Sequence, residues 1–183
     1  MNLKDLIDRC HGASKSAGWW NDLGTGLPID PLLLAAEKIA LCHSEVSEAY
    51  LAACIGARDD KLVERLGYEV ELADVVIRCA DLLGALYPSR DYPDWHVYYV
   101  EAGTLSTLME INVALSRSLE ALRKGGDAAH GLIDAISYCI GAKEDSFEEP
   151  IDVMAAVDAK LAFNKQRADH KLDARRSAGG KKF

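Results

Sequence analysis

No stretch of this 183-residue chain holds the roughly 20 consecutive apolar residues that a membrane-crossing helix requires. Cysteine is sparse and odd in number. Cys10, Cys42, Cys54, Cys79 and Cys139 include no Cys-x-x-Cys pair, which argues against a disulfide framework and a zinc site. No segment of strand length alternates apolar and polar residues. No glutamate is followed three positions later by histidine, so the Glu-x-x-His pairs of a di-iron bundle are missing. The start, Met1-Asn2-Leu3-Lys4-Asp5-Leu6, lacks the apolar core of a signal peptide. The expectation is a cytoplasmic protein with no membrane partner. What is present, 49% hydrophobic and 27% charged residues, is an ordinary globular balance for a single domain.

Charge is unevenly placed. Of the net −8, the segment from Lys165 onward holds seven basic residues against Asp169 and Asp173. That is +5, and residues 1–164 therefore carry −13. An acidic body repels a nucleic-acid backbone and argues against duplex binding. It suits divalent cations. The basic end reads as a solvated, flexible tail or as a phosphate binder.

Helical periodicity runs through the chain. Leu3, Leu6, Ile7 and Cys10 predict a first helix over 2–17. A breaker-rich loop, Trp19 to Pro28, follows. Asp30-Pro31 is a capped helix start, predicting a helix over 31–57 that is apolar nearly all round and hence central. Further helices are expected over 59–87, 101–124, 127–141 and 150–167, separated by an aromatic, proline-broken connection at 88–100 and by Gly125-Gly126. The fold class is all-α: an antiparallel bundle of about six helices over residues 1–167, with a basic tail at 168–183.

Two acidic pairs stand out. On the 31–57 helix, Glu45 and Glu48 lie within about 40° of Leu41 at 100° per residue. On the next helix, Glu71 and Asp74 share a face that Arg78 and Asp81 continue. A short connection packs these helices antiparallel, letting Glu45, Glu48, Glu71 and Asp74 converge. Four buried carboxylates repel one another and are costly to desolvate. A hard cation, Mg2+ or Mn2+, would resolve the conflict. His43 points away from this set.

The segments Ala40-Leu41-Cys42-His43-Ser44-Glu45-Val46-Ser47-Glu48-Ala49 and Glu71-Leu72-Ala73-Asp74-Val75-Val76-Ile77-Arg78 resemble the ExxE…ExxD signature of the all-α nucleoside triphosphate pyrophosphohydrolases. That superfamily includes MazG, the phage MazG-like proteins and the dimeric dUTPases. Lys160-Leu161-Ala162-Phe163-Asn164-Lys165-Gln166-Arg167, with the ending Gly179-Gly180-Lys181-Lys182-Phe183, resembles the Lys-x-x-Tyr-Asn-x-x-Arg tail of phage MazG-like chains, with Phe163 for the usual tyrosine. His11 and Gly18-Trp19-Trp20 resemble the family's aromatic segment. The resemblance covers about residues 10–87 and 150–183.

The resemblance implies Mg2+-dependent cleavage of a nucleoside triphosphate to the monophosphate and pyrophosphate. Glu45, Glu48, Glu71 and Asp74 would hold the metal, with Glu45 taking the proton of the attacking water. Lys160 and Arg167 would hold phosphate, and Asn164 would orient substrate. Trp19 and Trp20 would stack on the base. Arg78 would pair with Asp74 or Asp81 and steady the site.

Residues 88–149 depart from the short phage pattern. Within them Ser116 to Ala121 aligns with Ser44 to Ala49, and Leu132-Ile133-Asp134 with Leu72-Ala73-Asp74. The metal positions would become Arg117, Glu120, Gly131 and Asp134. An internal duplication, with the second helix pair packing on the first as a degenerate partner, is one reading; chance likeness between amphipathic helices is the other. A pseudo-dimer within one chain or a homodimer is expected accordingly. A dUTPase- or dCTPase-type specificity and a non-catalytic scaffold with an acidic metal-binding pocket are the alternatives to a broad pyrophosphohydrolase.

Overall fold

The structure, a computed structural model, describes residues 2–92, 95–99, 103–143 and 150–181. Among these it is all-helical, with seven α-helices and no strand; only the isolated pairs Asn21–Pro28 and Arg58–Leu66 bridge in β fashion. The helices are α1 (Leu3–Ser16), α2 (Pro31–Ile55), α3 (Gly67–Leu86), α4 (Thr104–Arg123), α5 (Ala129–Ile140), α6 (Val153–Gln166) and the short α7 (Leu172–Arg176). Residues 93–94, 100–102 and 144–149, together with Lys182 and Phe183 of the expected tail motif, lie outside the described residues. No described helix is long and apolar enough to cross a membrane.

Local chemistry explains the boundaries. Asn2 caps α1 by accepting from the Lys4 N–H, and Asp30 caps α2 by accepting from the Leu32 N–H, with Pro31 at the first position. Gly56, at φ +60, ends α2 in a left-handed turn. The helix expected from residue 59 begins only at Gly67. Asp59 accepts from the Lys61 and Leu62 N–H groups, so its side chain stabilises a turn instead of a helix start.

The centre of the bundle is α3, not α2. Fourteen of the 20 residues of α3 are buried, and α1, α2, α5 and α6 all pack on it. Buried Val and Leu side chains here each contribute roughly 1.5–3 kcal/mol. By contrast α2 leaves Leu33, Leu51 and Ile55 largely exposed. The pairings Lys38–Asp81, Cys42–Cys79 and Glu45–Arg78 run in opposite senses along α2 and α3, so the two are antiparallel. As the duplication reading requires, the second pair packs on the first: α4 lies against α2, where His43 meets Asn112, and α5 lies against α3. Cys10, Cys42, Cys79 and Cys139 are buried thiols, and Cys54 is exposed.

Glycine permits the close approach of α4 and α5. A Cβ on Gly131 would lie 2.4 Å from both the Ala114 carbonyl oxygen and Ser118 Oγ. Gly131→Ala is expected to cost about 1–3 kcal/mol by overpacking, read as a lower midpoint in urea. An unchanged midpoint would mean that the two helices do not sit this close.

Candidate metal centre and cationic cleft

Glu45, Glu71 and Asp74 come together. One carboxylate oxygen from each lies within 4.8 Å of the others. Antiparallel packing sets Glu45 on α2 opposite the Glu71–Asp74 turn of α3. Glu48 is exposed and stands outside this group. The reason is angular. The buried stripe of α2 runs through Ala35, Ile39, Cys42, Val46 and Ala49. At 100° per residue, Glu45 falls about 80° from the centre of this stripe and Glu48 about 140°.

The cluster carries its own cations. Lys160 of α6, itself buried, places Nζ 2.6 Å from Asp74 Oδ2. Arg78 donates from Nε to Glu45 Oε1 at 2.8 Å; the partner is neither Asp74 nor Asp81, as had been expected. Three carboxylates and two cations leave one negative charge over. Burial first, then the neighbouring Asp74 and Glu45 carboxylates, push the Glu71 carboxyl up to about 8. Burial also raises Asp74, against the pull of Lys160. Burial lowers Lys160, but the charge and hydrogen bond of Asp74, with the Glu71 and Asp59 charges, together raise it. A proton on Glu71 thus balances the cluster, so a divalent cation is not the only way to make it tolerable.

One turn further along α3, Asp81 serves a different purpose. It is 4% exposed and accepts from Ser14 Oγ at 2.8 Å, Trp20 Nε1 at 2.7 Å and Lys38 Nζ at 3.1 Å, with His11 Nδ1 at 2.9 Å. Burial pushes its carboxyl up, but His11, Lys38, Trp20 and Ser14 together hold it below the usual range. Trp20, expected to stack on a base, and Asp81 instead tie α1, the following loop and α2 to α3. The indole of Trp20 is buried under the Lys38 ammonium, 4.2 Å from the ring centroid. Sequence reading missed Lys38: it sits on the buried stripe of α2, and its partner is 43 residues away.

Between α1, α3, α6 and residues 168–181 lies a cleft of about 1190 Å³. Asp74 and Arg78 connect it to the acidic cluster. Lys15, Lys165 and Lys171 line it and make no ion pair among the described residues. Asn164 lines it too, with a buried Oδ1 that lacks a hydrogen-bond partner there. The volume accommodates a nucleotide-sized ligand, and the lysines favour an anionic one.

The remaining expected residues fare differently. One face of Trp19 is covered by the Arg175 guanidinium, 3.7 Å from the ring centroid, so that face is not available to a base. Arg167 lines the cleft but is held bidentately by Asp169 at 2.9 and 2.6 Å. Residues 168–181, expected as a flexible tail, instead form a 3₁₀ turn and α7. At the duplicated positions, Glu120 is tied to Arg123 and Lys124 on the surface, and Gly131 has no side chain to offer; no second carboxylate cluster forms among the described residues.

No protein-family model matches the chain, and no match emerges among curated proteins or solved structures.

Proposed function

We propose that the protein is a Mg2+-dependent nucleoside triphosphate pyrophosphohydrolase of the MazG-like type, releasing a nucleoside monophosphate and pyrophosphate. The observation that carries this reading is the juxtaposition of a compact carboxylate triad with a cationic cleft, joined at Asp74 and Arg78. The ExxE…ExxD resemblance supplies the reaction type.

The donor set fits a hard cation: three carboxylates with mutually close oxygens and no histidine or thiol among them. Glu45, Glu71 and Asp74 would hold Mg2+, with Mn2+ as a substitute. When bound, the ion supplies Lewis-acid neutralisation of the phosphate charge and activation of the attacking water. The chain's own groups do the rest. Arg78 and Lys160, now spent on Glu45 and Asp74, become free to hold phosphate oxygens when the carboxylates turn to the ion. Asn164 Oδ1, which has no hydrogen-bond partner among the described residues, accepts a hydrogen bond from the substrate. Glu45, released from Arg78 in the same way, would take the water's proton through an oxygen that the ion leaves free.

The test is a substrate panel: each ribo- and deoxyribonucleoside triphosphate with and without Mg2+, with products identified by phosphorus NMR. Pyrophosphate plus monophosphate, only with Mg2+, is the expected outcome. Orthophosphate, or no turnover of any nucleotide, overturns the reading, and the second result would favour a scaffold. The same panel would separate a uridine- or cytidine-specific enzyme from a broad one. Glu48→Gln is expected to keep activity within about tenfold of the parent, because Glu48 stands outside the triad.

A further inference from the structure

Residues 168–181 are attached to the body through very few side chains. Among them Arg175 alone is buried, at 1% exposure. Its guanidinium covers Trp19 and donates from Nη1 to the Gly18 carbonyl oxygen at 2.9 Å. Arg176 donates from Nε to the Leu23 carbonyl oxygen at 2.7 Å. His170 meets the Trp19 ring edge-on at 5.3 Å. Gly179, at φ +78, and Gly180, where a Cβ would lie 2.3 Å from the Ala174 carbonyl oxygen, fold the chain back on α7. That return brings Lys181 to the cleft. No aliphatic side chain of the segment is buried. The attachment is therefore polar and cation–π in nature, and it is the kind of contact that opens locally without unfolding the bundle.

The segment also shapes the charge of the cleft. Arg167, Lys171 and Lys181 line it together with Lys15 of α1 and Lys165 of α6. Asp169 lies among these cations. Its carboxylate accepts from Nε and Nη2 of Arg167, and Lys181 Nζ is 3.4 Å away. This is the two-point arrangement with which an arginine holds a phosphate group. Burial first, then the Arg167 charge, push the His170 imidazole down to about 4, against the pull of Asp169, so His170 adds no charge to the cleft near neutral pH.

We propose that residues 167–181 form a strap, latched by Arg175 on Trp19, that builds one wall of an oligophosphate-binding site, and that Asp169 occupies Arg167 and Lys181 until a phosphate group displaces it. The inference rests on reading the cleft as the substrate site but makes no use of the acidic triad. It predicts binding of an oligophosphate without any metal, and a strap that is protected when the site is filled.

Inorganic tripolyphosphate in metal-free buffer is the probe, with the full-length protein. Binding is measured by calorimetry, and strap opening by trypsin cleavage at Lys171, Arg175 and Arg176. Tripolyphosphate is expected to slow cleavage in the parent protein. Asp169→Asn is expected to bind about threefold to tenfold more tightly, since the internal competitor is gone. Arg175→Gln is expected to bind about tenfold more weakly and to be cut faster, with Arg175→Lys intermediate because it keeps the charge and loses the planar fork. Trp19→Leu removes the other half of the latch and must give the same loss. Circular dichroism melts check that each variant is folded, and if Arg175→Gln does not fold, the Trp19→Leu result decides. Unchanged cleavage with tripolyphosphate, unchanged or weaker binding by Asp169→Asn, or parent-like binding by both latch variants overturns the inference. Nucleotide turnover without strap protection would sink the strap and leave the hydrolase reading standing. Protection without turnover would do the reverse.

Discussion

Asp81→Ala is expected to destabilise the protein by about 3–5 kcal/mol, the loss that follows when a buried ion pair is broken from one side. The carboxylate sits at the junction of four parts of the chain. Ser14 and His11 come from α1, Trp20 from the following loop and Lys38 from α2, and all four reach Asp81 on α3. Removing the acceptor strands the Lys38 ammonium, of which only 8% is exposed at the residue level, and leaves the Trp20 indole N–H without its bond. Both are costly in a poorly hydrated interior. Lys38→Met should cost less, because Asp81 keeps three other partners. The comparison is made by urea unfolding monitored by circular dichroism. A shift for Asp81→Ala within about 0.5 kcal/mol, the range of an ordinary surface change, would mean that this junction does not hold the bundle together. Because the loop after α1 also carries Trp19, the variant should loosen the strap as well.

Glu71→Gln and Asp74→Asn are expected to lower nucleotide turnover by about 10³-fold or more, of the order seen when a group that stabilises reaction charge is removed; Glu71→Gln should do so without a loss of stability, whereas Asp74→Asn also strands the buried Lys160 ammonium and should destabilise the fold. Glu71→Gln should raise stability at alkaline pH. In the native state the Glu71 carboxyl is held up at about 8, against an ordinary value of 4.5. Between these values the folded protein binds more protons than the unfolded chain, so stability falls as pH rises through that window and levels off above it. Below about pH 4.5 this group contributes its full stabilising effect. Thermal melts from pH 5 to 9 in the absence of divalent metal should show that decline in the parent and a flatter profile in Glu71→Gln. Mg2+ should offset the decline in the parent, since ion binding replaces the proton. A parent profile as flat as the variant's would rule out an electrostatically loaded triad.

Much of the fold is legible along the chain. The starts and ends of α1, α2, α4, α5 and α6 lie within about three residues of the expected bounds, because capping side chains, prolines and glycines act over one turn of helix. The late start of α3 was hidden, since Asp59-Asp60 can cap a helix or stabilise a turn equally well. Of the site, Glu45, Glu71 and Asp74 could be read from spacing. Glu48 could not be excluded, because two residues three positions apart diverge by about 60°, and which of them meets the neighbouring helix depends on how the two helices face each other. The partner of Arg78 is hidden for the same reason: Asp74 and Asp81 lie on its own helix, whereas the carboxylate it meets, Glu45, lies on the facing one.

Sequence alone determined the all-helical class, the positions of most helices, the acidic body with its basic end, and three of the carboxylates that converge. Tertiary structure decided which helix is central, that Asp81 is a structural junction, that Lys160 and Arg78 offset two of the triad's three charges, and that the basic end folds over the cleft. The physical division is one of range. Helix caps and periodicity arise from forces within one or two turns, whereas the Trp20–Asp81 bond spans 61 residues and the Arg175–Gly18 bond 157, contacts that exist only once the helices have packed.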